Sequence, residues 1–208
     1  MEEWPLPKIT FNNLPEEKKQ TLIAAMKKEF SRVPLYDASI SNIIKSAKIP
    51  RGSFYQYFED KEDAFFFLFN DLVLSIRNNF AVLLKKYEGD LFDTMIDFYQ
   101  LIIMEEEDVH FLKNAFLNMT YKIELSFSKI FKDQHTNNYL SNFLSLLNIS
   151  NLNISNQKEL SHLLQIVFTI TLRNVVEKFA KELSNEEALA NYKIEMNLLK
   201  SGLVRKDS

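Results

Sequence analysis

The chain has 208 residues, 46% of them hydrophobic, and a formal net charge of −3, so one large or two small domains could bury a sizeable core. It contains 3 Gly, 5 Pro and no Cys, which disfavours glycine-rich phosphate loops and turn-rich β architectures and excludes disulfides and thiolate metal sites. Long runs of Leu, Ile, Phe, Lys, Glu and Asn predict an all-α protein instead.

The charge is unevenly distributed along the chain. Nine Lys or Arg and four Asp or Glu lie between Lys8 and Phe58, a local balance of +5. A mildly basic first quarter on an acidic body is typical of a DNA-binding head joined to a separate domain. The N-terminus lacks the pattern of a signal peptide, and the apolar run from Ala64 to Phe69 is too short to span a bilayer. We therefore expect a cytoplasmic protein with no membrane partner.

The first elements in the chain are predicted to be three helices. Pro15 to Phe30 has the apolar spacing of a helix that Asn13 can cap. A second helix begins after Ser39, and a third spans Arg51 to Phe58. The turn Lys48-Ile49-Pro50 joins these two short helices.

A long fourth helix is predicted to start near Lys61, where Asp60 can cap it. No Ser- or Pro-rich linker separates it from the first three helices, so we expect it to continue directly from head to body. The remaining helices are predicted at Leu91–Glu105, Val109–Phe131, Asn138–Leu147, Gln157–Leu183 and Glu186–Ser201.

The third helix combines an apolar face with a polar one. Phe54 and Phe58 lie four residues apart and are expected to face the core, which places Arg51 and Tyr55 together on the opposite face. Two short helices joined by a tight turn, the second carrying Arg, Ser and Tyr, are typical of a helix-turn-helix that presents its recognition helix to the DNA major groove. Double-stranded DNA is therefore the predicted partner.

The run SIxxIIxxAKIPRGSFYxYFxxKE, from Ser39 to Glu62, resembles the DNA-binding domain of the TetR family of bacterial transcriptional regulators. The resemblance extends from Leu14 to Phe69. It implies an all-α fold of about nine helices, with a three-helix DNA-binding domain at residues 12–60, its helix-turn-helix motif at about 39–58, and a ligand-sensing and dimerisation domain at residues 61–208. One position departs from the family pattern. The turn residue that is usually Gly is Lys48, so the turn is either strained or shifted in geometry.

Resemblance and helical geometry together assign the DNA contacts. Arg51 is expected to pair bidentately with guanine or to grip a phosphate, Gly52 to let the DNA backbone approach, and Gln56 to read adenine. Lys61 would hold a phosphate at the start of the fourth helix, although an isolated Lys there would be an ordinary surface charge. Tyr57 could instead be packed mainly in the core. The full predicted set is Ser41, Asn42, Arg51, Gly52, Ser53, Tyr55, Gln56, Tyr57 and Lys61.

The body is rich in aromatic residues and Met, which most often form a core. The functional alternative is an apolar ligand pocket between helices, with candidates Phe69, Phe98, Met104, Phe111, Phe116, Met119, Tyr121, Phe168 and Arg173. Arg173 lies inside the apolar stretch IVFTITLRNVV. It could pair across a dimer, with Glu177 nearby, or meet an anionic ligand, and the interface is the preferred interpretation.

The last two helices carry more apolar surface than one domain needs. The helix from Gln157 to Leu183 is apolar on more than one face, and the last helix repeats apolar residues at a 3-4-3 spacing. These features predict a homodimer held by a four-helix bundle. The residues assigned to its interface are Leu172, Val176, Leu189, Tyr192, Met196 and Leu199.

The function implied by the resemblance is that of a repressor. A small, largely apolar ligand would bind the body, change the spacing of the two heads and release a palindromic operator. The alternative is a helical interaction or carrier protein whose helix-turn-helix no longer regulates transcription. An enzyme is disfavoured, because His110, His135 and His162 lack metal-ligand spacing and no nucleophile elbow is present. Neither a metal nor a cofactor is expected.

Overall fold

The computed structural model describes residues 7–104, 108–118, 120–128 and 145–203, and only the backbone is considered at Ser126–Ser128 and Leu203. The α-helices in these ranges are α1 (Ile9–Asn12), α2 (Glu16–Arg32), α3 (Ile40–Ala47), α4 (Arg51–Tyr57), α5 (Lys61–Lys86), α6 (Leu91–Met104), α7 (Val109–Leu117), α8 (Tyr121–Ser128), α9 (Gln157–Ala180) and α10 (Asn185–Leu203). A short 3-10 helix, Ile149–Asn151, precedes α9. No β-strand occurs in these ranges, and the all-α prediction is confirmed.

Parts of the predicted helix pattern are wrong. The single helix expected from Val109 is two helices, α7 and α8, because Asn118 leaves helical geometry at φ −115° and ψ 40°. The Asn118 side chain donates to the Asn114 carbonyl 3.0 Å away, a local hydrogen bond that competes with helix continuation. The short helix α1 was not expected, and Pro15, rather than Asn13, occupies the N-cap position of α2. Most of the helix predicted at Asn138–Leu147 lies outside the described residues.

The described residues fall into two compact units. The first contains residues 7–73, 108–118 and 120, and the second contains residues 74–104, 121–128 and 145–203. Helix α5 contributes residues to both units. Helix α7 belongs to the same unit as the helix-turn-helix, although it lies far along the chain. The functional division into residues 12–60 and 61–208 stays a prediction.

The core of the first unit is aromatic, and α7 packs there against α2. The ring centroids of Phe30 and Phe65 are 5.3 Å apart, and those of Phe65 and Phe111 are 5.1 Å apart, both in edge-to-face geometry. Such pairs contribute about 0.5–1.5 kcal/mol each beyond the burial of their area. The Asn114 amide donates to the carbonyls of Phe30 and Ser31 at 2.9 Å. Helix α7 thus supplies hydrogen-bond donors to carbonyls at the C-terminal end of α2. The chain continues from this end into the helix-turn-helix.

The second unit contains a buried pair of stacked tyrosines, one of which also makes a hydroxyl contact. Helix α10 packs on α6 and α9, and the rings of Tyr99 and Tyr192 stack with centroids 4.2 Å apart. The Tyr192 hydroxyl lies 2.7 Å from Thr171 Oγ1. Burial raises the pKa of both tyrosines, so the hydroxyls stay neutral and the pair ties three helices together.

Among the described helices, α5 is the one that is long and apolar enough, by length and composition, to cross a membrane. Core helices pass the same test. Phe65, Phe66 and Phe69 of α5 are buried in the first unit, which accounts for its apolar composition.

Candidate nucleic-acid interface

The turn between α3 and α4 keeps the geometry that a glycine would normally adopt. Lys48 lies in the left-handed region, with φ 54° and ψ 41°. The Ile49 N–H donates to the Ile44 carbonyl at 3.1 Å, and the Lys48 N–H donates to the Lys45 carbonyl at 3.4 Å, which is the pattern of a Schellman cap. Of the two possibilities left open by the sequence, the turn is therefore strained and its geometry is not shifted.

Helix α4 divides into a buried and an exposed face. Phe54 and Phe58 are fully buried, as expected from their spacing. Tyr55 is exposed, and so are Arg51, Gly52 and Gln56, whereas Ser53 and Tyr57 are half-buried. The Tyr57 ring meets the edge of Phe11 at a centroid distance of 6.2 Å, so part of its surface is used for packing.

Three of the predicted DNA contacts meet in what we call the recognition cluster, Ser41, Arg51 and Tyr55. Arg51 donates through Nη2 to the Tyr55 hydroxyl at 3.3 Å and through Nη1 to Ser41 Oγ at 3.4 Å. Its guanidinium carbon lies 5.8 Å from the centre of the Tyr55 ring. These contacts are long and use two of the five N–H donors of the guanidinium. The cluster orients the cation at the surface and leaves donors for a ligand.

The start of α3 is held by a buried carboxylate that the sequence analysis missed. Glu29 of α2 is 4% exposed and accepts from the Ser39 N–H at 2.9 Å, Asn42 Nδ2 at 3.1 Å and Arg32 Nε at 3.0 Å. The Arg32 hydrogen bonds lower the pKa of Glu29. The Asn42 amide group is thus already engaged with Glu29, whereas the Ser41 hydroxyl contacts Arg51 of the recognition cluster. The position of Glu29 in the apolar stripe of α2, next to Phe30, was the signal in the sequence that could have indicated a buried carboxylate.

Lys61, one of the predicted DNA contacts, also makes hydrogen bonds within the protein. Its Nζ donates to the carbonyls of Tyr36 and Ala38, the latter at 3.0 Å, and so holds the loop before α3. Asp60 caps α5 as predicted, because its Oδ1 accepts from the Asp63 N–H at 2.8 Å. A lysine ammonium has three donors, so one remains for a phosphate.

The nine predicted pocket residues are not gathered in one unit. Phe69, Phe111 and Phe116 are buried in the first unit and Phe98 in the second. Met104 is 51% exposed and Tyr121 is 78% exposed, so neither is part of a buried core. Phe168 is half-buried, and Met119 lies outside the described residues.

Arg173 lies in the second unit and is paired within the chain. Its Nη1 is 3.0 Å from Glu177 Oε2, and its Nη2 contacts Glu195. Glu195 also accepts from Asn174 Nδ2 at 2.7 Å. Within the single chain, the guanidinium is thus paired with two carboxylates, and the pairing with Glu177 occurs along one helix.

The predicted dimer residues need one correction. Tyr192 and Met196 are fully buried within the second unit, where a partner chain cannot reach them. The middle of the 3-4-3 stripe therefore faces the chain's own core, and a different face of α10 exposes Ile194 (60%) and Leu198 (69%). Helix α9 exposes Ile166. The other four predicted residues are half-buried: Leu172, Val176, Leu189 and Leu199.

Comparison with known families gives two matches that together span most of the chain. Residues 22–66 match the profile of bacterial regulatory proteins of the tetR family, and residues 90–203 match the Tetracyclin repressor-like C-terminal domain. A curated relative is the HTH-type transcriptional regulator HbdR of Aromatoleum sp. (strain CIB), which is 40% identical over 58 residues. That match covers 28% of this chain and 25% of HbdR.

Solved structures share the fold over nearly the whole chain. FadR from Bacillus subtilis, solved in complex with stearoyl-CoA, superposes with a TM-score of 0.63 at 16% identity, covering 88% of this chain and 98% of FadR. A putative TetR-family regulator from Syntrophomonas wolfei str. Goettingen has a TM-score of 0.62 at 18% identity, covering 89% of this chain and 96% of that chain. At these identities the likeness establishes the fold.

Proposed function

Because the chain belongs to the TetR family of bacterial transcriptional regulators, we propose that it is a cytoplasmic repressor that binds a palindromic operator as a homodimer. A small, largely apolar ligand releases it. The family makes the chain a DNA-binding transcriptional regulator. Repression, the dimer and the ligand are the parts that the proposal adds.

The recognition cluster is the observation that carries the DNA-binding proposal. A guanidinium presents a planar set of donors that matches the O6 and N7 acceptors of guanine in the major groove. Arg51 is exposed and oriented by Ser41 and Tyr55, so Arg51 reads a base while the two hydroxyls contact phosphates. Gly52 supports a close approach, since a Cβ built there would meet no atom of the protein within 4 Å. Gln56, Ser53, Tyr57, Asn42 and Lys61 complete the proposed surface.

The homodimer rests on the exposed apolar residues of α9 and α10. Ile166, Ile194 and Leu198 expose between 48% and 69% of their surface, whereas the other large apolar side chains described in these helices are buried or half-buried. A two-fold symmetric bundle of α9 and α10 would cover them. Two recognition helices must then meet half-sites about 34 Å apart, one DNA turn.

The effector is proposed to be largely apolar because the body is aromatic. FadR of Bacillus subtilis was solved with stearoyl-CoA, which makes a long-chain acyl-CoA a reasonable first compound to test on this chain. Release requires that the ligand prefer the state that cannot bind the operator, since equal affinity for both states would shift nothing.

Base reading by Arg51 is tested by two substitutions that separate geometry from charge. The operator is first selected from random-sequence duplexes by the full-length protein. Arg51→Ala should weaken operator binding by about 1–3 kcal/mol and relax the preference at one base pair. Arg51→Lys keeps the charge but loses the bidentate geometry, so it should relax the preference at the same base pair and retain binding to non-specific DNA. Fluorescence anisotropy over a range of salt concentrations measures the affinity for the operator and for non-specific DNA.

Unchanged operator affinity in Arg51→Ala would remove Arg51 from the readout. Failure of the wild-type protein to select any DNA would favour the alternative function, a helical interaction or carrier protein. Stearoyl-CoA added to the operator complex should release the labelled DNA if this class of ligand is the effector, and a shorter acyl-CoA serves as the control for chain length.

A further inference from the structure

The recognition helix α4 is very short, and its C-terminal end is met by residues from the start of the described chain. It has seven residues, and no side chain caps its N-terminus. Helices of this length are marginal in isolation, and the last carbonyls of any helix lack partners within the helix. The three carbonyls of Tyr55, Gln56 and Tyr57 therefore need donors from elsewhere.

Residues 8–10 supply a donor to each of these carbonyls. The Lys8 N–H donates to the Tyr57 carbonyl at 2.9 Å, and Lys8 Nζ donates to the Tyr55 carbonyl at 3.1 Å. The Thr10 hydroxyl donates to the Gln56 carbonyl. The ammonium of Lys8 also places a positive charge at the negative end of the α4 dipole.

Phe11 anchors these donors in the core of the first unit. It is 2% exposed, and its ring centroid lies 5.2 Å from that of Phe58 and 5.1 Å from that of Phe67. Its edge contact with Tyr57 reaches α4 itself. The segment is thus fixed both to the end of the recognition helix and to α5, the helix that follows it.

We propose that residues 8–11, which we call the N-terminal clamp, are positioning residues that keep α4 folded and oriented for DNA. The proposal rests on the DNA-binding function proposed above. If α4 is formed only in a fraction of molecules, the apparent operator affinity falls by that fraction. The clamp acts on this fraction, so it affects specific recognition without touching a base.

Two positions allow the hydrogen bonds to be removed with little other change. Lys8 has φ −57° and ψ 151°, which proline adopts without strain. Lys8→Pro therefore removes both the N–H and the ammonium, whereas Lys8→Met removes the ammonium alone. Thr10→Val removes the hydroxyl with no change in charge. Thr21→Val is the matched control, because the Thr21 hydroxyl makes the same kind of bond to the Glu17 carbonyl within α2.

The full-length variants are compared by amide hydrogen exchange of residues 51–58 and by binding to the selected operator and to a scrambled duplex. Thr10→Val should lower the protection of α4 about three- to tenfold, the value of one hydrogen bond, and weaken operator binding by up to the same factor. The double variant Lys8→Pro with Thr10→Val should show a larger loss of α4 protection and of operator affinity. Binding to the scrambled duplex and the salt dependence in Thr10→Val should match the wild type, and Thr21→Val should change neither readout.

Unchanged α4 protection in the double variant would overturn the clamp. A fall in the salt slope of about one in Lys8→Met, with Thr10→Val binding like the wild type, would also overturn it, because Lys8 would then be a direct phosphate contact. The exchange measurement needs no DNA. If no duplex is bound by the wild type, the proposed function fails while the exchange data still decide whether the clamp holds α4.

Discussion

Lys48 adopts a backbone conformation that favours glycine, at the turn that sets the angle between α3 and α4. A non-glycine residue in the left-handed region costs about 1–2 kcal/mol. The Schellman hydrogen bonds of Ile49 and Lys48 and the buried Ile43 and Phe54 on either side keep the turn in this geometry. The strain is therefore stored locally and does not displace the recognition helix.

Replacing Lys48 by Gly should stabilise the protein. Gly relieves the strain of about 1–2 kcal/mol and loses about 0.5–1 kcal/mol in backbone entropy, so the thermal midpoint should rise by up to about 6 °C. Lys48→Ala is the control, because it removes the same charge and keeps the strained backbone. A midpoint for the Gly variant that is no higher than that of the Ala variant, measured by thermal denaturation, would contradict the predicted stabilisation.

A substitution at Gly52 should affect folding stability and DNA binding differently. Because a Cβ there meets nothing in the protein and Ala favours helix by up to about 1 kcal/mol over Gly, Gly52→Ala should leave stability unchanged or raise it. The same methyl group lies on the proposed DNA face and should weaken operator binding about tenfold or more. Normal operator affinity in Gly52→Ala would place the DNA elsewhere.

The spacing of residues in the sequence predicted which side chains are buried better than it predicted their hydrogen-bond partners. Phe54, Phe58 and the shared face of Arg51 and Tyr55 follow from the helical period, which is local. The carbonyl contacts of Lys61 depend on a loop some 23 residues earlier in the chain. No periodic pattern encodes such a contact, so the sequence suggested a surface phosphate contact and not the loop attachment.

At the scale of elements, Glu29 joins α2 to the start of α3. It gathers a backbone N–H, an amide and a guanidinium around one carboxylate, so the N-terminal end of α3 is fixed relative to α2. Hydrogen bonds to a charged group are worth about 1.5–3 kcal/mol each. A shift of α3 would move Ser41 and, through Arg51, the recognition cluster.

Glu29→Gln should therefore reduce both stability and operator affinity, the stability by about 1–3 kcal/mol at neutral pH. The folded-state pKa of Glu29 is lowered from 4.5, so its contribution is complete above the unfolded pKa and is lost as the pH falls through the folded pKa. The stability of the variant should accordingly fall less steeply below about pH 4.5 than that of the wild type. Chemical denaturation between neutral and acid pH measures this difference, and parallel curves would contradict it.

The amphipathic pattern of α10 predicted an apolar face, but two of the residues that it assigned to the dimer interface are buried inside the chain. Tyr192 and Met196 fill the chain's own core, and Ile194 and Leu198 are exposed. A hydrophobic period shows which residues share a face. It does not show whether that face packs inside the chain or against a second copy, because both surfaces are equally apolar. The choice depends on the tertiary contacts of α6 and α9.

At the scale of the whole molecule, operator recognition by the proposed homodimer would depend on linking two recognition helices. One seven-residue helix reads only a few base pairs, and linking two such sites can raise the apparent affinity by about 10²–10⁴ without any new contact. In the proposed homodimer, the dimer contact therefore contributes to specificity as strongly as any base contact does. The exposed apolar face of α10 is the place where this link can be broken without disturbing either unit.

Leu198→Glu should convert the dimer to a monomer, because it places a charge on a residue that is 69% exposed in the single chain and buried in the proposed bundle. The affinity for the full palindrome should fall by about a hundredfold or more, while binding to a duplex with one half-site stays as in the wild type. Val82→Glu is the control, since Val82 of α5 is 67% exposed and lies outside the proposed interface. Sedimentation gives the oligomeric state and anisotropy the two affinities. A variant that stays dimeric would move the interface off this face of α10, and a monomer with full palindrome affinity would show that the two heads bind independently.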